Sequence, residues 1–249
     1  MGNILYKYLD INGAIMMLHH RSLMYANATT FNDPFDCHPS LIDCSNAPAE
    51  ECNGWPANVI EDLHSNKLTN NRKDLWICCL SKLYDSLLMW SYYNKHEGVC
   101  IGLNMDYVEE YLNIGYGMIV STKGESVKYL DIINKPNFYQ DQEEFFDYQA
   151  FTKAKVWEHE QEVRLFIYKP SHALMKLLPF QNDKTELQYS ELIAFITIGA
   201  KCFDSLYFGL RTDATNKEKI SRLARSINPN IKICQMEANP NTFRLIAKH

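Results

Sequence analysis

The sequence has 249 residues and no stretch approaching the roughly 18 apolar residues of a membrane span. Its opening MGNILYKYLDINGA holds no basic segment followed by a long apolar run, so a cytoplasmic protein without a membrane partner is expected. Tyr6 stands where an acylation motif needs Ser or Thr, which excludes N-terminal myristoylation. There is no glycine-rich phosphate loop. Gly115-Tyr116-Gly117 lacks the third glycine and the following helix that a dinucleotide fingerprint requires. Internal repeats and low-complexity linkers are missing as well, and no Ser-His-Asp or Cys-His arrangement suggests covalent acyl chemistry. Nor is there an excess of positive charge. With 25 Lys and Arg against 30 Asp and Glu the formal net charge is -5, which argues against broad electrostatic binding of nucleic acid but leaves room for a local basic groove.

Eight cysteines are present, without a Cys-x-x-Cys pair. Residues 78, 79, 100, 202 and 234 lie in or beside apolar runs and read as buried thiols in a chain without a secretion signal. Cys37, His38, Cys44 and Cys52 cluster in a polar passage, but their spacing does not fit a structural zinc site, and no metal is expected.

With 46% hydrophobic residues the chain can bury one large core, so residues 1–249 are expected to form a single domain with an insertion or lid at 38–72. The pattern reads as strands at 4–9, 22–28, 74–81 and 98–103, with helices between them at 14–20 (capped by Asp10), within 57–68, and at 85–93. A helix at 106–114, a hairpin of 115–122 with 126–130 across Lys123-Gly124, and a helix at 141–154 follow. Phe145, Tyr148 and Phe151 recur at helical spacing and read as core aromatics behind the next strand. Residues 171–180 are ambiguous. Strands at 192–200 and 206–211 are expected around a turn at Asp204, then an amphipathic helix at 215–228 capped by Thr215, then two closing strands.

The stretch KVWEHEQEVRLFIY, 155–168, where an acidic cluster runs into an apolar strand, is the candidate place for chemistry. If it is extended from Glu158, side chains two apart share a face, with Glu158, Glu160, Glu162 and Arg164 on one side and Val163, Leu165 and Ile167 on the other. Such a charged row on an antiparallel strand is ordinarily solvated, its ion pairs worth about 0 to 1 kcal/mol. Phe166 and Tyr168 continue the row as aromatics, which suggests a partly covered cleft instead. Asn32-Asp33-Pro34 is a strong turn placed after an apolar strand, where its polar groups reach a sheet edge. His96, before Glu97-Gly98, reads either as a base or as a structural histidine at a helix-to-strand turn, with Gly98 supplying the turn.

Four stretches together, LYKY near the start, FNDPFD, MWSYYNKHEGVCIGL, and the pattern Trp157, Glu160, Glu162, Arg164, resemble the bacterial and phage family known as domain of unknown function twenty-nine seventy-one. That family is distantly similar to ADP-ribosyltransferases. The resemblance implies an α+β fold built on a split, mostly antiparallel sheet with flanking helices, and an enzyme that uses NAD to modify a nucleic acid or protein, of the toxin or phage-defence kind. It implies Glu162 as the catalytic glutamate with Glu160 two residues before it and Arg164 as a phosphate-holding or orienting group. Tyr6 or Tyr8 would take the early-strand position and Ser81 or Tyr92 the middle-strand position, with Asn32, Asp33 and His96 as further NAD contacts. No early-strand Arg or His matches the better-known transferases. A non-enzymatic binding or regulatory protein of a defence locus, and a hydrolase of NAD or a nucleoside, are the alternatives.

Overall fold

A computed structural model describes residues 3–116, 120–141, 144–168, 188–189 and 192–248. The chain opens with β1 (Ile4–Leu9), α1 (Ile11–His20) and β2 (Ser22–Asn27). Helix α1 starts where Asp10 accepts a hydrogen bond from the Gly13 amide, and it stops at Arg21, which turns left-handed with φ 47. Next come α2 (Ala49–Cys52), α3 (Ala57–Lys73), β3 (Leu75–Ser81), α4 (Leu87–Asn94) and β4 (Val99–Asn104). These lead into α5 (Met105–Tyr116), β5 (Glu125–Ser126), β6 (Lys128–Leu130), α6 (Phe145–Phe151), β7 (Thr152–Ala154) and β8 (Glu162–Tyr168). The chain closes with β9 (Gln188–Tyr189), β10 (Ile193–Thr197), β11 (Phe203–Phe208), α7 (Ala214–Ile227), β12 (Lys232–Ala238) and β13 (Leu245–Lys248).

Eleven of these strands form one mostly antiparallel open sheet, so the protein is α+β. β8 lies along the whole of one edge of β3, from Leu75 opposite Tyr168 to Ser81 opposite Glu162. The other edge of β3 is shared. β1 touches it only at its end, Tyr6 opposite Ser81, and β2 only near its start, at Trp76 and Ile77. Both run antiparallel to β3 and hence parallel to each other, which is why a helix, α1, must connect them. The sheet therefore splits at β3, and the backbone from Cys78 to Leu80 faces a gap between β1 and β2.

Strand alternation sorts the side chains to two sides. On one, Leu5, Cys78, Leu80, Ile101, Leu103, Val163 and Leu165 pack under α1, α5 and α7 as the main core. On the other, α4 presses Met89 and Trp90 onto Tyr8 and Cys100, while α6 and the 28–37 segment bury Ile77, Phe151 and Cys37. The split opens between these two smaller clusters.

Several elements depart from the sequence pattern. The stretch before β8 is not extended. Lys155–Glu160 form a 3-10 turn that ends at left-handed Gln161, φ 44, and the strand begins only at Glu162. The expected helix at 141–154 is cut to α6, because Thr152–Ala154 pair in parallel with β6. Among the described residues, 126–130 make no hairpin with 115–122; β5 pairs with β8 and Val120 bridges to Ile167. Asp204 lies inside β11, and β10 and β11 join different partners, β2 for one and β4 with β12 for the other. The cap of α7 is Asp213, not Thr215. At the turn into β4 the left-handed residues are Lys95 and His96, φ 54 and 59, while Gly98 admits the Leu9 carbonyl, which a Cβ would meet at 2.2 Å.

The 38–72 passage packs Ile42 and Leu68 against Phe138, with Phe145 and Tyr148 beside them. Of the three aromatics expected behind β8, Phe151 meets the Phe166 ring, tilted, at 5.7 Å. Residues 171–180 lie outside the described residues. Among the described residues no helix is long and apolar enough to cross a membrane.

Candidate functional site

A cleft of about 320 Å³ occupies the split. Its walls come from Tyr6 and Tyr8 on β1, Met24 on β2, Phe31 and Asn32 after β2, and Met89 and Tyr93 on α4. Its floor is the end of β3, Cys79 to Ser81, together with Asp36, Lys153, Glu160 and Glu162. An apolar, aromatic wall around a few converging polar groups is the usual build of a small-molecule site.

The floor is a continuous ion cluster. Glu162 is 4% exposed, and its Oε1 accepts from Arg164 Nε at 2.8 Å. Its Oε2 accepts from Arg164 Nη2 and from Lys153 Nζ, both at 3.2 Å. The Lys153 ammonium also donates to Glu160 Oε2 at 2.5 Å and lies 3.6 Å from Asp36 Oδ2. Tyr93 closes the line at the solvent side, its hydroxyl donating to Glu160 Oε1 at 2.7 Å. Beneath the cleft Arg164 is wholly buried. It donates to Asp36 Oδ2 at 2.8 Å and to the Ala150 carbonyl at 2.6 Å, and stacks over the Phe31 ring at 5.6 Å.

Burial alone would push the Glu162 carboxyl up, but Arg164 and Lys153 outweigh it and hold the group down at about 2. Burial likewise disfavours the charged forms of Lys153 and Arg164, yet the carboxylates around them raise both above their ordinary values. Burial pushes the Cys37 thiol, 3.4 Å from Arg164 Nη1, up to about 12, which leaves it unreactive at neutral pH. Counted by formal charge, Asp36, Glu160 and Glu162 face Lys153 and Arg164, so the cluster carries one negative charge in excess.

Glu162 and Glu160 do meet, though not as neighbours on one strand face. The left-handed turn at Gln161 swings Glu160 back so that both carboxylates bind the same Lys153 ammonium. Glu158 is exposed and takes no part. The charged row is buried, not solvated, because the 28–37 segment and α6 cover it. Arg164 has its guanidinium committed to protein atoms, so it orients Glu162 and does not hold a phosphate.

Tyr6 and Tyr8 line the cleft. Tyr8 donates to the Leu83 carbonyl at 2.8 Å, and Tyr6 sits in a ring cluster with Tyr84 and Tyr207 at 5.4 and 6.0 Å. Ser81 lies at the floor and donates to the Glu160 carbonyl at 2.6 Å. Asn32 reaches the cleft. Asp33 does not, since its Oδ1 turns back to the Phe35 amide as an Asx turn. Tyr92 points to solvent at 66% exposure, outside the cleft that Tyr93 lines, with its ring against His159. His96 lies away from the cleft, where its ring meets Ser91 and Trp90, and burial lowers its pKa. Cys37, His38, Cys44 and Cys52 are not gathered, and among the described residues no three such side chains converge to hold a metal ion.

Three residues of the site escape sequence reasoning. Lys153 is hidden in a helical pattern, Asp36 follows a turn that drew attention to Asp33, and Tyr93 is indistinguishable from Tyr92 until the face of α4 is known. The one available signal was the second acid of FNDPFD.

Comparison with known proteins adds nothing to this geometry: no family model, no curated protein and no solved structure matches the chain significantly.

Proposed function

We propose that this protein is an ADP-ribosyltransferase-like enzyme, a toxin or phage-defence effector. It would cleave the nicotinamide–ribose bond of NAD and pass ADP-ribose to a nucleic-acid or protein acceptor. The observation that carries the reading is the excess negative charge at the floor of an aromatic cleft, centred on Glu160 and Glu162. The nicotinamide ring of NAD is a pyridinium cation, and its departure leaves positive oxocarbenium character on the ribose. A fixed carboxylate cluster beside that carbon is stabilising in proportion to the charge that develops. The bond electrons leave with nicotinamide, which becomes neutral and needs no general acid. The acceptor then attacks the ribose carbon, and its proton goes to a carboxylate; we assign that role to Glu160, which accepts from the hydroxyl of half-exposed Tyr93. Lys153 and Arg164 keep Glu162 ionised and immobile at the moment of reaction. The split sheet and the four resembling stretches lend further support.

A second reading draws on one specific observation: both oxygens of Glu162 and both of Glu160 already accept hydrogen bonds from protein groups. Such saturation suits a non-enzymatic binding protein whose cluster only shapes the cleft. The two separate on nicotinamide release from NAD by the purified protein, with calorimetry in parallel. Release that falls at least a hundredfold in Glu162→Gln, with NAD binding retained, supports the enzyme. NAD binding without release under any condition, with lysate or nucleic acid added, supports the binder, and absence of both removes NAD from consideration. Free ADP-ribose in place of labelled macromolecule would identify a hydrolase.

A further inference from the structure

Lys7 stands at a position that strand alternation assigns to the core. Its neighbours two away, Leu5 and Leu9, both pack into the main apolar cluster, while Tyr6 and Tyr8 take the opposite face. A lysine between two core leucines breaks the pattern, and such breaks mark either an error or a function. The split explains how it is tolerated. Where β1 diverges from β3, the Lys7 side chain lies in the gap and its ammonium donates to the Cys79 carbonyl at 2.8 Å, a backbone group that the missing strand pairing would leave open. One of its three donors is thereby used. Lys7 also lines the cleft, and it differs from the cations at and beneath the floor. Lys153 and Arg164 are tied to Asp36, Glu160 and Glu162, whereas no carboxylate lies within ion-pair distance of Lys7 among the described residues. A neutral donor would satisfy a carbonyl equally well. The charge is surplus to that task.

The cleft thus carries charge of both signs within its apolar walls: a net negative floor at Glu160 and Glu162, and, among the described residues, a cation without a carboxylate partner in the gap at Lys7. We infer that Lys7 is the anion-holding residue of the cleft, and that its ligand is a phosphorylated nucleotide, not a free nucleoside. This rests on the reading that the cleft binds a nicotinamide-bearing ligand, and it sharpens that reading to a zwitterionic one, pyridinium at the carboxylates and phosphate at Lys7. A lysine ammonium serves as a point charge for phosphate, so the contact should be strongly salt-dependent.

The test compares nicotinamide mononucleotide with nicotinamide riboside by calorimetry on the full chain. Wild type should bind the mononucleotide at least tenfold tighter than the riboside. Lys7→Gln should reduce that ratio to within twofold, chiefly by weakening the mononucleotide, and Lys7→Arg should restore most of it. A purely structural Lys7 would move both ligands alike, so a ratio that survives in Lys7→Gln overturns the inference. A measurement on wild type covers the case of a variant that fails to fold: inorganic pyrophosphate should compete with the mononucleotide, and competition relieved by raising the salt supports the assignment. Equal affinity for the two ligands, or no competition by pyrophosphate, overturns it while leaving Glu162-dependent nicotinamide release intact. Binding of neither ligand removes both this inference and the reading beneath it.

Discussion

The protein stabilises two regions of its sheet, the C-terminal edge and the central split, by opposite means. In the C-terminal unit, β11 and β12 are parallel neighbours joined by α7, and Ile220 and Ala224 of that helix pack fully buried on the main core. At the split, β8 carries Glu162 and Arg164 into an equally dry interior, where charges hold charges. The first arrangement gains from each apolar group removed from water, with little dependence on its exact partner. The second gains nothing until every partner is present, since desolvation of each ion is repaid only by its neighbours. The C-terminal unit is accordingly tolerant, and the split is all-or-nothing.

Removing one member of the cluster should therefore give the largest loss. Arg164→Met keeps volume but leaves Asp36 and Glu162 facing each other across a buried space with only Lys153 between them. A cost of about 4 kcal/mol is expected from breaking a buried ion network, read from the urea midpoint at unchanged slope. Asp36→Asn added to Arg164→Met should recover part of it. A loss under about 1 kcal/mol, the worth of an exposed ion pair, would place the cluster in the same class as surface pairs and dissolve the contrast.

Acid should reveal the same cooperativity. Glu162 has its carboxyl held at about 2, below the ordinary 4.5, so its contribution to stability is fully present above about 4.5 and is lost as pH falls towards 2. Over that window the stability difference between wild type and Glu162→Gln should shrink by roughly 3 kcal/mol. Parallel curves over the same range would mean that Glu162 is not held by its cations. Lys153 acts in the opposite sense. Its raised pKa adds stability below its ordinary 10.5 that fades only as pH rises through the folded value.

The contrast also decides what could be read from the residues alone. α7 is legible because its apolar residues recur at three and four, and the buried Ile220 and Ala224 follow that spacing. β1, β3, β4 and the Asp10 cap are legible for similar local reasons. The pairing of Glu162 with Arg164 follows from strand period. What is not legible is anything that depends on contacts far along the chain. Asp36 reaches Arg164 across 128 positions, and Cys37 reaches it across 127. Gln161 has no propensity that announces φ 44, yet that one dihedral decides where Glu160 points. Lys153 is invisible because the parallel pairing with β6, a non-local event, overrides the helical period of its own segment.

In the C-terminal unit the expected effects are smaller and graded. Ile220→Val removes one buried methyl group from the contact with the main core and should cost about 1 kcal/mol, without altering the response to acid between pH 6 and 2. A pH-dependent penalty there would show that the two regions are coupled through the sheet and do not fail separately.

The smallest effect belongs to the exposed pair on the same helix. Arg222 donates to Glu218 at 2.6 Å, a shorter contact than any between Arg164 and its carboxylates, with side chains 78% and 73% exposed. Distance alone would rank it above every Arg164 pair. Solvent screening and the entropy of fixing two long side chains rank it last, at no more than about 0.5 kcal/mol. Glu218→Gln should therefore leave the urea midpoint nearly unchanged, and 1 M salt should abolish what remains. A cost approaching that of Arg164→Met would mean that geometry, not burial, sets the worth of ion pairs in this protein, and the interior cluster would lose its special standing.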